Sequence, residues 1–230
     1  MLLGAVDCVI INRQRLVEFY DICRKEQAHH VSGITGLIGE SIGRGLLLHK
    51  FRDDGFEAKI VGGTPKTGKR RGPWLDCWIA VNRGTDKRII QVEIKNWSAY
   101  SLNGSDLPLS ASEEEYRTFA KKNWNIIFKK NKIAHDKVLE VLKTMNIPEG
   151  YADWHHRALL CFWFCLHPNG DRISHFPVQV QTEEGFPELE IFSMSAYLRN
   201  MAQDKVDLDI PWIDERLKLI SSLFGIAPAM

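Results

Sequence analysis

The chain has 230 residues, 44% of them apolar and 26% charged, with a formal net charge of +1. These are the proportions of a globular protein with a sizeable core, and the length fits one domain with its decorations. No run of about 18 apolar residues is present, which excludes a membrane-crossing helix, and a net charge this small does not by itself point to nucleic acid.

The start, Met1 to Cys8, lacks a basic region and reaches an acid at Asp7, so it does not read as a signal peptide. The five cysteines include no Cys-x-x-Cys pair. Cys77, Cys161 and Cys165 fall in apolar runs and read as buried thiols of a reducing, cytoplasmic compartment. The pairs His29-His30 and His155-His156 lack the partner spacing of a zinc site and read as surface or cap residues.

Taken in order, residues 12–31 predict a helix with an apolar stripe of Leu16, Val17, Tyr20, Ile22 and Cys23. Thr35 can cap a second helix running to about Lys50. That helix holds Gly36, Gly39 and Gly43, each costing roughly 1 kcal/mol against Ala. Such a cost implies close approach of the backbone to a sheet or to nucleic acid. Glu40 lies off the apolar stripe with Arg44 one turn on, either as an exposed ion pair or as an acid aimed at a site. Gly55–Gly63 predicts a strand. The loop that follows, Thr64–Gly72, holds Lys66, Lys69, Arg70 and Arg71 and no acid. It has no Walker pattern, which disfavours nucleotide hydrolysis by that route.

Residues 73–97 predict a β-hairpin, with apolar runs Trp74–Val81 and Arg88–Lys95 flanking a gap rich in Asn, Gly and Asp. Folded about Gly84-Thr85, the hairpin sets Asp76 opposite Glu93, with Cβ atoms about 5 Å apart. Two carboxylates so placed repel, and a divalent cation between them removes the repulsion. The alternation assigns Leu75, Cys77, Ile79, Val81, Ile90, Val92 and Ile94 to an apolar face. It assigns Asp76, Trp78, Gln91, Glu93 and Lys95 to the other, where Gln91 reads most simply as a surface residue.

Beyond the hairpin, Trp97 is placed either to stack on bases or to cap the core. A long helical region, about Ser112–Met145, carries Lys121 and Lys122 in a basic cluster interleaved with Trp124 and Phe128. Arg157–Leu166 reads as a central strand buried on both faces. Phe176–Gln181 and Leu189–Phe192 read as edge strands, Ser193 or Ser195 caps a helix to about Gln203, and Pro211 begins a last helix.

An acid on one strand followed by Glu-x-Lys at the end of the next resembles the PD-(D/E)XK nuclease superfamily. It is carried here by Asp76 and Glu93-Ile94-Lys95, with Leu75-Asp76 in place of the usual Pro-Asp. Glu40 matches the Glu that many members place on the helix before the sheet. The motifs cover roughly residues 35–100. The resemblance implies an α/β fold with a restriction-endonuclease-like αβββαβ core, a mixed sheet flanked by helices. One nuclease domain would span 1–230, with its core in 35–165, an N-terminal helix in 1–34 and added strands and helices in 166–230.

The activity implied is Mg²⁺- or Mn²⁺-dependent phosphodiester hydrolysis of nucleic acid, DNA ahead of RNA, in restriction, repair or anti-phage defence. Asp76, Glu93, the Ile94 carbonyl and Glu40 would hold the metal, and Lys95 would orient the attacking water or meet developing charge. Lys66, Lys69, Arg70, Arg71, Trp97, Lys121 and Lys122 would contact the nucleic acid. A homodimer or a helicase/ATPase-type partner is implied, and no membrane. Two alternatives stand beside this one. The first is a catalytically weak nucleic-acid-binding or assembly module of the same fold. The second is a hydrolase of small phosphoesters, which would not need the basic clusters.

Overall fold

The computed structural model describes residues 8–17, 32–63, 75–95, 110–112, 114–115, 118, 146–162, 175–178 and 188–210. They form an α/β architecture with a mixed six-stranded sheet, a two-stranded ribbon and helices. The elements in chain order are β1 (Cys8–Asn12), α1 (Ser32–Asp53), β2 (Glu57–Gly63), β3 (Cys77–Arg83), β4 (Asp86–Lys95) and β5 (His155–Phe162). After them come β6 (His175–Val178), β7 (Glu188–Ser193), α2 (Met194–Asn200) and β8 (Lys205–Asp209).

The sheet runs β2-β3-β4-β5-β7-β6. β2, β3 and β4 form an antiparallel meander, β4, β5 and β7 run parallel, and β6 returns antiparallel on β7. The β3–β4 register pairs Cys77 with Val92 and Arg83 with Asp86. This is the predicted fold about Gly84-Thr85, with Gly84 at φ 64°, a conformation open to glycine at little cost. β5 is a central strand, as its apolar run predicts. β7 is not an edge strand, because it lies between β5 and β6. Its hydrophobic sequence suits both positions, and only pairing distinguishes them.

α1 is buried from two sides. A methyl group added at Gly43 would meet Met194 Cε at 2.9 Å and Ile94 Cδ1 at 3.1 Å, on the sheet side. One added at Gly45 would meet Ile210 Cγ1 at 2.8 Å and Leu208 Cβ at 3.2 Å, on the ribbon side. The helix therefore lies between two layers, which is why Leu46, Leu47 and Leu48 are all buried although consecutive helical residues point to different sides. Gly43 thus approaches the sheet, one of the two partners that its glycines imply.

The ribbon corrects the predicted N-terminal helix of residues 1–34. Cys8–Asn12 is a strand paired with β8, from Cys8↔Asp209 to Asn12↔Lys205. Helical residues begin at 13, where Asn12 Oδ1 accepts from the Arg15 N–H at 3.0 Å. Neither strand was legible, because each is short and its partner lies far along the chain. Ser193 caps α2, its Oγ accepting from the Ala196 N–H at 3.3 Å. The predicted helix 112–145 and the helix from Pro211 lie outside the described residues, apart from the start of the first. There Ser112 and Glu115 exchange reciprocal side-chain-to-backbone hydrogen bonds, a capping box. Among the described residues, no helix is long and apolar enough to cross a membrane.

Candidate active site

The sheet has two buried faces. Cys77, Ile79, Val81, Ile90, Val92 and Ile94 join α1 in the main core, as the alternation predicts. On the reverse, Trp78, Ala80 and Ile89 pack with Val61, Ile147, Tyr151 and Trp154. Leu75 belongs to this second cluster, not to the first. The reason is a bend at Asp76, one residue before β3 begins, which breaks the alternation.

That bend also shapes the acid site. Asp76 Oδ2 accepts the Ile94 N–H at 2.5 Å. A side-chain carboxylate takes the place of a ladder carbonyl, and β3 and β4 end their pairing at Cys77↔Val92. Asp76 therefore flanks the end of β4, where Glu93 and Lys95 project. Glu93 is 3% exposed, and Lys95 Nζ donates to its Oε1. The other oxygen, Glu93 Oε2, is shielded from solvent without a hydrogen-bond partner among the described residues.

Burial pushes the Asp76 carboxyl up to about 6, and the negative charge of Glu40 adds to the shift. The Ile94 N–H, Lys95 and Arg44 oppose it. Glu93 is raised to about 7, first by burial and then by the charges of Asp76 and Glu40, with Lys95 opposing. Glu40 on α1 is thus electrostatically part of the same group. Hydrogen bonds and chain adjacency join Asp76, Ile94, Glu93 and Lys95 at one place, and Glu40 acts on them through its charge. Lys66, Lys69, Arg70, Arg71, Trp97, Lys121 and Lys122 lie outside the described residues.

Three further residues border the group. Arg44, one turn from Glu40, lowers Asp76, and its Nε is shielded with no partner among the described residues. Its spacing from Glu40 was visible in the sequence, but an ion pair between the two explained it equally well. Gln91 is not a surface residue: it is 0% exposed, and its Oε1 lies 3.1 Å from His156 Nε2. His156 is not a surface or cap residue either. Its ring lies 5.4 Å from Trp78, and burial followed by the neighbouring His155 lowers its pKa. The signal for Gln91 was its place on the Glu93 face. The parallel pairing of β5 on β4, which brings His156 there, is non-local.

Among the described residues, no three His, Cys, Asp or Glu side chains are grouped closely enough to enclose a metal ion. Mg²⁺ does not require that number, since it keeps several waters and takes one or two carboxylates. Asp76 and Glu93 fit such an ion: their repulsion and the unpartnered Glu93 Oε2 are both relieved by a cation. Cys77 and Cys161 are fully buried free thiols, and burial pushes Cys77 up to about 12. They are core groups, as expected. No family model, curated protein or solved structure matches the chain.

Proposed function

We propose that the protein is a metal-dependent nuclease with a restriction-endonuclease-like core, of the PD-(D/E)XK kind. One observation carries the reading: the half-buried Asp76 and the buried Glu93 are held at adjacent strand ends despite their repulsion, with Lys95 beside them. A structure selected for stability alone would separate these acids or neutralise one. The order α1-β2-β3-β4, then β5 parallel to β4, is compatible with an αβββαβ core.

Asp76 and Glu93 would hold Mg²⁺ or Mn²⁺, with Glu40 alongside. The ion would supply a Lewis acid for the phosphate and lower the pKa of a water. The chain's own groups do the rest. The Ile94 N–H fixes the Asp76 carboxylate. Lys95 opposes the upward shift of Glu93 and would place a positive charge where the phosphate gains negative charge. Arg44 adds a second cation beside Asp76. Lys66, Lys69, Arg70 and Arg71 would bind backbone phosphates, which position the strand without reading its sequence. The substrate would be DNA ahead of RNA, and a second copy or a helicase/ATPase-type partner would set the target.

The second reading, a binding or assembly module with weak catalysis, draws on the absence of a three-ligand metal group among the described residues. Cleavage assays on supercoiled plasmid, linear duplex, single-stranded DNA and RNA, in Mg²⁺, Mn²⁺ or EDTA, separate the two. The nuclease reading expects metal-dependent cleavage by wild type that is absent in Glu93→Ala/Lys95→Ala. If nothing is cut and calorimetry finds no Mn²⁺ binding, the reading is wrong.

A further inference from the structure

A second cluster of charged residues lies apart from Asp76 and Glu93. A cavity of about 410 Å³ opens beside the tip of the hairpin. It lies on the α1 side of β4, since Ile90 belongs to the main core and Glu93, an odd number of residues on, projects from the reverse face. Lys50, Arg83, Arg88 and Arg157 line it, against the carboxylates of Asp54 and Glu190.

These cations are held in place. Arg83 donates to the Asp54 backbone carbonyl at 3.1 Å, and its guanidinium lies 4.3 Å from the centre of the Phe56 ring. Arg88 lies 5.3 Å from the same ring and grips Asp86 through bonds of 2.7 and 2.6 Å. Arg157 donates to Glu190 at 2.7 Å, and Lys50 pairs with Asp54. Asp86 feels three guanidiniums: bonding to Arg88 first, then the charges of Arg88, Arg83 and Arg157, hold its carboxyl below the usual range.

Asp86, Glu190 and Asp54 pair with Arg88, Arg157 and Lys50, which leaves Arg83 as one cation in excess of the carboxylates. Fixed forks around a concavity form a preorganised anion site, with little ordering left for a ligand to bring about. The volume exceeds that of a phosphate and lies in the range of small-molecule sites, and guanidinium planes next to Phe56 suit a stacked ring. We propose that this cavity binds the phosphate monoester of a free nucleotide between Arg83, Arg88 and Arg157, with Asp86 as its internal competitor. The site is separate from the acid group and does not depend on the nuclease reading.

Calorimetric titration with inorganic phosphate, adenosine 5′-monophosphate and a 5′-phosphorylated oligonucleotide tests this on wild type, Arg83→Gln and Asp86→Asn. Arg83 is exposed and Asp86 partly so, and circular dichroism verifies that both variants fold. Removing one charge-assisted bond predicts about tenfold weaker nucleotide binding in Arg83→Gln. Tighter binding in Asp86→Asn would support the competition. Binding of the oligonucleotide without the free nucleotide would assign the phosphate to a strand end and overturn the nucleotide as ligand. No binding of any probe by wild type at about 10 mM, or equal nucleotide binding in Arg83→Gln, overturns the site.

Discussion

The two ends of the β3–β4 hairpin hold acids in opposite states. At the base, burial pushes Asp76 to about 6 and Glu93 to about 7, with the charge of Glu40 adding to both and that of Asp76 to Glu93. At the tip, Asp86 stands beside Arg88, Arg83 and Arg157 and is held below the usual range. The strands and their register are the same. The difference lies in what surrounds them: a desolvated, acid-rich corner at one end, and a partly exposed, arginine-rich mouth at the other. A carboxylate's place in a strand does not set its chemistry; desolvation and the sign of nearby charge do. On the readings proposed above, the base would accept a cation and the tip an anion.

The largest expected effect breaks the base. Glu93→Ala/Lys95→Ala should reduce metal-dependent cleavage by about a thousandfold or more and remove Mn²⁺ binding in calorimetry. A double variant that still binds Mn²⁺ would place the metal elsewhere. Next comes the helix that carries Glu40 and Arg44. Gly43→Val adds atoms where a Cβ already lies 2.9 Å from Met194 Cε, and should destabilise by about 2–3 kcal/mol in urea unfolding. Little change in the midpoint would mean that α1 is not seated so tightly on β4. Gln91→Ala empties a buried position and strands His156, at a cost of about 1–3 kcal/mol, and its urea midpoint measures it.

The pH dependence sharpens the contrast directly. Asp76 and Glu93 have folded-state values above their unfolded ones, so between about pH 4 and 7 the folded chain binds more protons than the unfolded chain. Metal-free stability should fall as pH rises through that window, and Mn²⁺ should restore it at the upper end. Urea midpoints across the window test this, and a Glu93→Gln slope equal to that of wild type would show that Glu93 is not the source. The smallest effect is at the tip. Asp86→Asn should leave the urea midpoint nearly unchanged, because the group is partly exposed and solvent screens its ion pair.

Much of the site was legible because its signals are local. The turn at Gly84-Thr85 and the period of two set the β3–β4 register, which ends at Cys77↔Val92, one residue short of the expected Asp76–Glu93 pair, and the Ile94 N–H then holds Asp76 at the end of β4. What failed was where a local rule met a distant neighbour. Alternation misplaces Leu75 because Asp76 bends to meet the Ile94 N–H, and it leaves Gln91 on a surface that the second core cluster in fact covers.

From its sequence alone, this chain declares an α/β protein, a helix needing close backbone approach, a hairpin and its acid pair, since pattern and turn chemistry act over a few residues. The tertiary structure alone decided the β1–β8 ribbon, the two-sided burial of α1, the Gln91–His156 pair and the convergence of Arg83, Arg88 and Arg157 on one cavity. Each of these joins residues far apart in the chain. Their proximity follows from strand pairing and layer packing, which no short stretch of residues encodes.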